Sequence, residues 1–247
     1  MMTLLLAVTM QPALSEPAQG GRAEGDSTKI ATAKGDLEIH PINHATFVMK
    51  WDGKTVFVDP VGGGDKFKAC GKPDLILITD IHGDHLNPDT VKAVAGDAKI
   101  IAPAACVEKL AGVTATKLAN GEKTKVGEIE IEAIPMYNLT PERKDRHTKG
   151  RGNGYVVTLG GKRVYISGDT EDIPEMRALK DIDLAFVCMN LPYTMDVDHA
   201  ADAVLAFKPK VVYPYHYRGK EGMSDVAKFK SLVAKDKGID VRQLKWY

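Results

Sequence analysis

The stretch "ITDIHGDHL", residues 78–86, follows the apolar run Leu75-Ile76-Leu77 and places Asp80, His82, Asp84 and His85 within six positions. An apolar run ended by Thr-Asp reads as a buried strand. The following "NPDTVKAVAG" (87–96) reads as a helix, with Asn87 as N-cap, Pro88 at the first helical position and Gly96 closing it. The four polar residues therefore occupy the loop at the carboxyl end of a strand, where open α/β sheets place their ligands. Imidazole and carboxylate donors without cysteine suit zinc, manganese or iron. Two histidines and two aspartates in one tight loop are poorly explained as solvated surface.

A metal needs further donors, and other strands supply them at matching ends. "VYISGDT" (164–170) is an apolar run ending in Asp169, and "VVYPYHY" (211–217) ends in His216. "TVFVDP" (55–60) ends in Asp59, which reads as a residue that orients the loop behind the ligands. The recurrence of an acid or imidazole at several strand ends carries more weight than any one of them.

Short apolar or alternating runs bounded by Gly, Asp and Pro fill the first half of the 247-residue chain, and "WDGK" (51–54) predicts a tight hairpin. The second half repeats the scheme: "LGGKR" is a second hairpin turn, and helical patterns near 174–180, 196–207 and 224–236 alternate with strands. Hairpins followed by strand–helix alternation, twice over, predict two mixed sheets packed face to face with helices outside. No internal linker divides residues 29–247, which read as one domain.

Lys plus Arg and Asp plus Glu are 33 each, so nothing in the net charge points to nucleic acid or to an anionic membrane. "PERKDRHTKGRG" (141–152) is the one dense basic stretch, readable as a solvated loop or as one that faces a substrate. Cys70, Cys106 and Cys188 form no C-x-x-C pair, which excludes a thiolate zinc knuckle. Cys188, in "LAFVCM", reads as a core thiol; spacing does not decide whether Cys70 and Cys106 pair. "TLLLAVTM" (3–10) is too short to span a bilayer, and with the small residues Ala13-Leu14-Ser15 it reads as the remnant of a signal peptide. Residues 1–28 are thus expected to be a leader and linker, and the mature protein to be periplasmic or secreted.

The ordered motifs "FVDP", "TDIHGDH", "SGDT" and "YPYHY" resemble the metallo-β-lactamase superfamily, whose signature loop reads T-H-x-H-x-D-H. The likeness is closer to its branch of small metal-dependent hydrolases that includes ascorbate-6-phosphate lactonase. "NHATF" (43–47) is similar to that branch's early G-H-[AS]-x-F element, with Asn43 in place of glycine. The resemblance spans roughly 37–220. It implies an αββα sandwich with a metal centre between the sheets and hydrolysis by a metal-activated water.

Taken position by position, the resemblance implies that Asp84, His85, Asp169 and His216 hold one metal. Asp80 stands where the signature has its first histidine, and Asn138, in "AIPMYN", stands where the family's next ligand histidine is expected. The second metal position, with Asp80, His82 and the shared Asp169, is therefore expected to be weaker and to favour a harder cation. The expected cofactor is Zn²⁺ or Mn²⁺, one ion held tightly and any second one loosely. His147 has three open readings: a replacement ligand, an acid–base group, or a loop residue. His44 is expected to reach the site as a catalytic or substrate contact, and Arg218 and Tyr193 to flank it as substrate-binding residues, Arg218 for an anionic group. His40 reads as half-buried in its strand, and His199 as a helix-start residue beside the cap Asp196. The leading function is hydrolysis of an ester, lactone, amide or phosphoester in a small molecule. The alternative is a catalytically weakened sensor or scaffold of the same fold.

Overall fold

A computed structural model describes residues 28–247. The leader expected over residues 1–28 lies almost wholly outside the described residues. The chain builds two seven-stranded sheets in succession. The first runs, in spatial as in chain order, β1 (Thr28–Thr32), β2 (Gly35–Asn43), β3 (Thr46–Trp51), β4 (Lys54–Val58), β5 (Leu75–Leu77), β6 (Lys99–Ala102) and β7 (Thr116–Lys117). The second contains β8 (Lys123–Val126), β9 (Ile129–Met136), β10 (Gly152–Leu159), β11 (Lys162–Ile166), β12 (Leu184–Cys188) and β13 (Val211–Tyr215). After the short ribbon β14 (Arg218–Gly219) and β15 (Gly222–Met223), β16 (Asp240–Val241) completes the second sheet beside β13. Both sheets are mixed: antiparallel hairpins from β1 to β4 and β8 to β11, then parallel strands.

The two expected hairpins form where the turn chemistry demands them. Asp52 and Gly53 both take positive φ between β3 and β4, as do Gly160 and Gly161 between β10 and β11, the backbone that a two-residue turn needs. Along β3, Phe47, Met49 and Trp51 enter the cluster between the sheets, while Val48 joins the one beneath the first helices. Phe57 and Ile76 likewise face the helices, and Val56, Val58, Leu75 and Leu77 face the opposite sheet. Strands buried on both faces need apolar residues at every position, which is why β4 and β5 read as unbroken runs.

The helices are α1 (Pro88–Ala95), α2 (Ala104–Val107), α3 (Pro174–Arg177), α4 (Val197–Phe207) and α5 (Val226–Val233). Asn87 caps α1 by accepting from Thr90 N, and Asp196 caps α4 by accepting from His199 N. Together they give the αββα layering. Cys70, Cys106 and Cys188 are all buried and free, so no disulfide contributes. No helix among the described residues is long and apolar enough to cross a membrane.

Candidate metal centre

Six strands end at one edge of the sandwich, and each delivers a polar side chain there. β4 leads into Asp59, β5 into the 80–85 loop, β9 into Asn138, β11 into Asp169, β12 into Asn190 and β13 into His216. The backbone bends sharply at these points. Among the described residues six non-glycine positions have positive φ, and three of them, His44, Asp59 and His216, are at this edge. Such conformations cost of order 1–3 kcal/mol each and persist where the surroundings over-determine them.

Asp59 is fully buried and accepts from the Thr79 amide at 2.7 Å, the Thr79 hydroxyl at 2.5 Å and His85 Nδ1 at 2.8 Å. It therefore ties the start of the loop to its last histidine and leaves His85 Nε2 pointing inward, the outer-shell arrangement seen behind metal-ligating imidazoles. His85 Nε2 lies 3.4 Å from Asp169 Oδ2 and 3.0 Å from His216 Nε2. His216 Nε2 is 3.1 Å from Asp169 Oδ1 and 3.4 Å from Asp84 Oδ2. His85, Asp169 and His216 are thus brought together, and Asp84 joins them through His216, beside His44.

The second group holds the principal surprise. His147 is buried, and its Nε2 lies 3.2 Å from Asp169 Oδ2 and 3.8 Å from Asp80 Oδ2. His82 Nδ1 contacts the same Asp80 oxygen. Donor atoms of Asp80, His82 and His147 all lie within 4.8 Å of one another, as do those of His85, Asp169 and His216. His147 is thus no free loop residue: it is buried beside Asp80, His82 and Asp169. Asn138 sits behind it: the side-chain amide donates to the carbonyls of Arg143 and Tyr193, and Nδ2 lies 3.1 Å from His147 Nδ1. Asp80 is completely buried, and Arg151 approaches its Oδ1 at 3.7 Å.

Residues and charges here fit a divalent cation. Both oxygens of Asp80 and Oδ1 of Asp169 are buried without a well-aligned hydrogen bond, and the groups nearest them are the imidazole nitrogens of His82, His147 and His216 and the Arg151 guanidinium. Burial would raise the Asp169 carboxyl, but the facing rings of His216 and His85 hold it well below the ordinary carboxylate range. Burial would lower His85 and His216, and Asp169 lifts both above the ordinary imidazole value. Carboxylates and imidazoles at such separations call for positive charge at their centre, which a metal supplies without protons.

Around this centre lies a cavity of about 410 Å³, lined by His44, Asp84, His147, Tyr193 and Arg218 among others. His44 Nε2 is 3.3 Å from Asp84 Oδ2, and its Nδ1 is 2.7 Å from the Tyr247 hydroxyl. Arg218 and Tyr193 both reach the cavity wall. His40 is half-buried beside Glu38, and His199 pairs with Asp196 on the exposed face. Both stand apart from the centre. Sequence reading missed four contributors: Arg146, which lines the cavity, Arg151, Asn190 and Tyr247. Only the two arginines had a local signal, the basic stretch 141–152.

Two facing mixed sheets with helices outside and the imidazole–carboxylate edge between them define the metallo-β-lactamase fold. Residues 38–216 match the β-lactamase superfamily domain, and the chain belongs to that family. It is 33% identical over 212 residues to a UPF0173 metal-dependent hydrolase of Pyrococcus furiosus, an alignment covering 80% of this chain and 92% of the relative. A crystal structure from Parabacteroides distasonis, provisionally described as a metal-dependent hydrolase, superimposes with a TM-score of 0.81 at 42% identity, covering 89% of this chain and 99% of that one. The metallo hydrolase Igni18 of Ignicoccus hospitalis shares the fold, with a TM-score of 0.72 at 23% identity over 85% of this chain and 95% of its own.

Proposed function

We propose that the protein is a metal-dependent hydrolase with two adjacent cation positions that share Asp169. Asp84, His85 and His216 would hold one, and Asp80, His82 and His147 the other; the donor set of nitrogen and carboxylate oxygen suits Zn²⁺ or Mn²⁺. The observation that carries this reading is the convergence of imidazole and carboxylate donors, with Asp80, His82 and His147 in one group, His85, Asp169 and His216 in a second, and Asp84 beside His216 and His44 in a third. Bound there, a divalent cation would lower the pKa of a water toward neutrality and polarise an acceptor oxygen.

The chain's own residues supply the rest. Asp84 is part-exposed at the cavity wall and orients whatever proton-bearing group lies between it and the substrate. His44 faces the same space, and burial, partly opposed by Asp84, lowers its pKa, which favours the neutral ring and makes it a candidate to take up and pass on a proton during the reaction. Tyr193 and Arg218 line the opening as substrate contacts. The reaction is hydrolysis of an ester, lactone, amide or phosphoester in a small molecule.

The test is elemental analysis of purified full-length protein, paired with a hydrolytic screen before and after chelation. Bound divalent metal, and hydrolysis that chelator abolishes and metal restores, are expected. Protein that holds no divalent metal and hydrolyses nothing when supplied with zinc or manganese would refute the reading.

A further inference from the structure

Two arginines from separate parts of the chain line the metal cavity. Arg146 lies in the irregular segment between β9 and β10, one residue before His147; Arg218 opens β14, two residues after His216. Each guanidinium is carried on an aromatic face: Arg146 lies 5.2 Å from the centre of the Tyr193 ring and Arg218 4.9 Å from that of Tyr247. The Tyr247 hydroxyl also accepts from the Arg218 amide at 3.2 Å, which fixes the backbone beneath that side chain.

Most other arginines of the described residues are spent on carboxylates. Arg143 pairs with Glu171, Arg151 with Asp80, Arg177 with Asp172 and Asp202, and Arg242 with Asp240. Neither Arg146 nor Arg218 has a carboxylate partner among the described residues, although Asp84 and Asp169 line the same cavity. A guanidinium held over a ring is positioned by the π face and keeps its N–H fork for another partner. Two such forks lining one cavity suit the oxygens of a planar or tetrahedral oxyanion.

We infer that Arg146 and Arg218 form an oxyanion clamp, and that the substrate is a small organic anion whose phosphate or carboxylate group is held there while its scissile bond faces Asp84 and Asp169. This rests on the hydrolase reading for the scissile bond, whereas the clamp itself rests on the arginines and their rings. The cavity volume falls in the range of small-molecule sites.

Calorimetric titration of the zinc-loaded full chain with glycerol 3-phosphate, succinate and glycerol tests it. Both anions, or one of them, bind and glycerol does not; Arg146→Gln and Arg218→Gln each weaken anion binding by about tenfold or more, the strength of a hydrogen bond to a charged group. Elemental analysis shows unchanged metal in both variants. A larger loss for glycerol 3-phosphate assigns the clamp to phosphate, and a larger loss for succinate to carboxylate. Variants that keep their metal and bind both anions as the parent does would overturn the clamp, because the anion would then sit on the metal centre alone. Failure of the parent to bind either anion overturns it as well. A parent that holds no metal yet binds anions through both arginines would refute the hydrolase reading and leave the clamp standing.

Discussion

Asn138 Nδ2 lies 3.1 Å from Nδ1 of His147, and the Asn138 amide N–H donates to the His147 carbonyl at 2.8 Å. The residue that occupies the family's expected histidine position thus braces the histidine that reaches the centre from nine residues further on. Replacing His147 with alanine should reduce the metal held per chain by about one ion and spare the position built from Asp84, His85 and His216. Asn138→Ala should weaken the same position by roughly 10–100-fold, the usual cost of losing an outer-shell partner. Asn138→His should weaken it too, because a ring at 138 competes with His147 for space. Elemental analysis and chelator competition on the three variants read this directly.

Asp80 does not stand alone against its imidazoles; Arg151 approaches its other oxygen. Asp80→His introduces the ring of the superfamily signature but sets it against a guanidinium that has lost its carboxylate, a costly arrangement for a buried charge. Zinc at this position should therefore bind more weakly in Asp80→His than in the double variant Asp80→His/Arg151→Gln. Equal zinc affinity in the two would show that Arg151 has no part in the site.

Glu171 is buried and clamps the segment that carries Asn138 and His147. Its carboxylate accepts from the Leu139 amide at 2.6 Å and the Thr140 amide at 2.7 Å, and pairs with Arg143 Nε at 2.5 Å. Glu171→Ala should cost about 2–3 kcal/mol of stability, the range for hydrogen bonds to a charged group. Hydrogen exchange at Leu139 and Thr140 should speed up more than in β12, and the metal position that includes His147 should weaken before the other does. Uniform destabilisation with both positions equally affected would argue that Glu171 supports only the general fold.

Tyr247 bonds to the far side of the His44 ring from Asp84 and so selects which nitrogen faces the cavity. Tyr247→Phe keeps the ring beneath Arg218 and removes the hydroxyl with its bonds to His44 and to the Arg218 amide. We expect kcat to fall about three- to tenfold, the scale of a hydrogen bond, with metal content unchanged. His44→Ala should fall further, by on the order of 100-fold, as for a lost acid–base group. A Tyr247→Phe enzyme with parental kcat would remove the tyrosine from the proton path.

Local chemistry explains why most of this architecture could be read in advance. Asp52-Gly53 and Gly160-Gly161 form turns through their own backbone preferences, and Asn87 with Pro88 starts α1 through contacts within four residues. The 80–85 loop announces itself because its donors are contiguous. His147 gave no such signal. Its position depends on Glu171 capturing two loop amides 32 and 31 positions before it, and on the Asn138–His147 backbone bond that closes the segment. Arg151 acquires its meaning only from Asp80, 71 positions earlier, and Tyr247 only from His44. Pairings across such distances follow from the packed sheets and leave no pattern in the stretches themselves.

The bond between His44 and Tyr247 spans 203 positions of chain. A polypeptide made at ordinary rates takes roughly 10–40 s to cover that distance. His44, the 80–85 loop, His147, Asp169 and His216 emerge in turn during that interval, and the hydroxyl that bonds the His44 ring follows them all. The earliest histidine of the site thus waits on one of the last residues made for its hydrogen-bond partner.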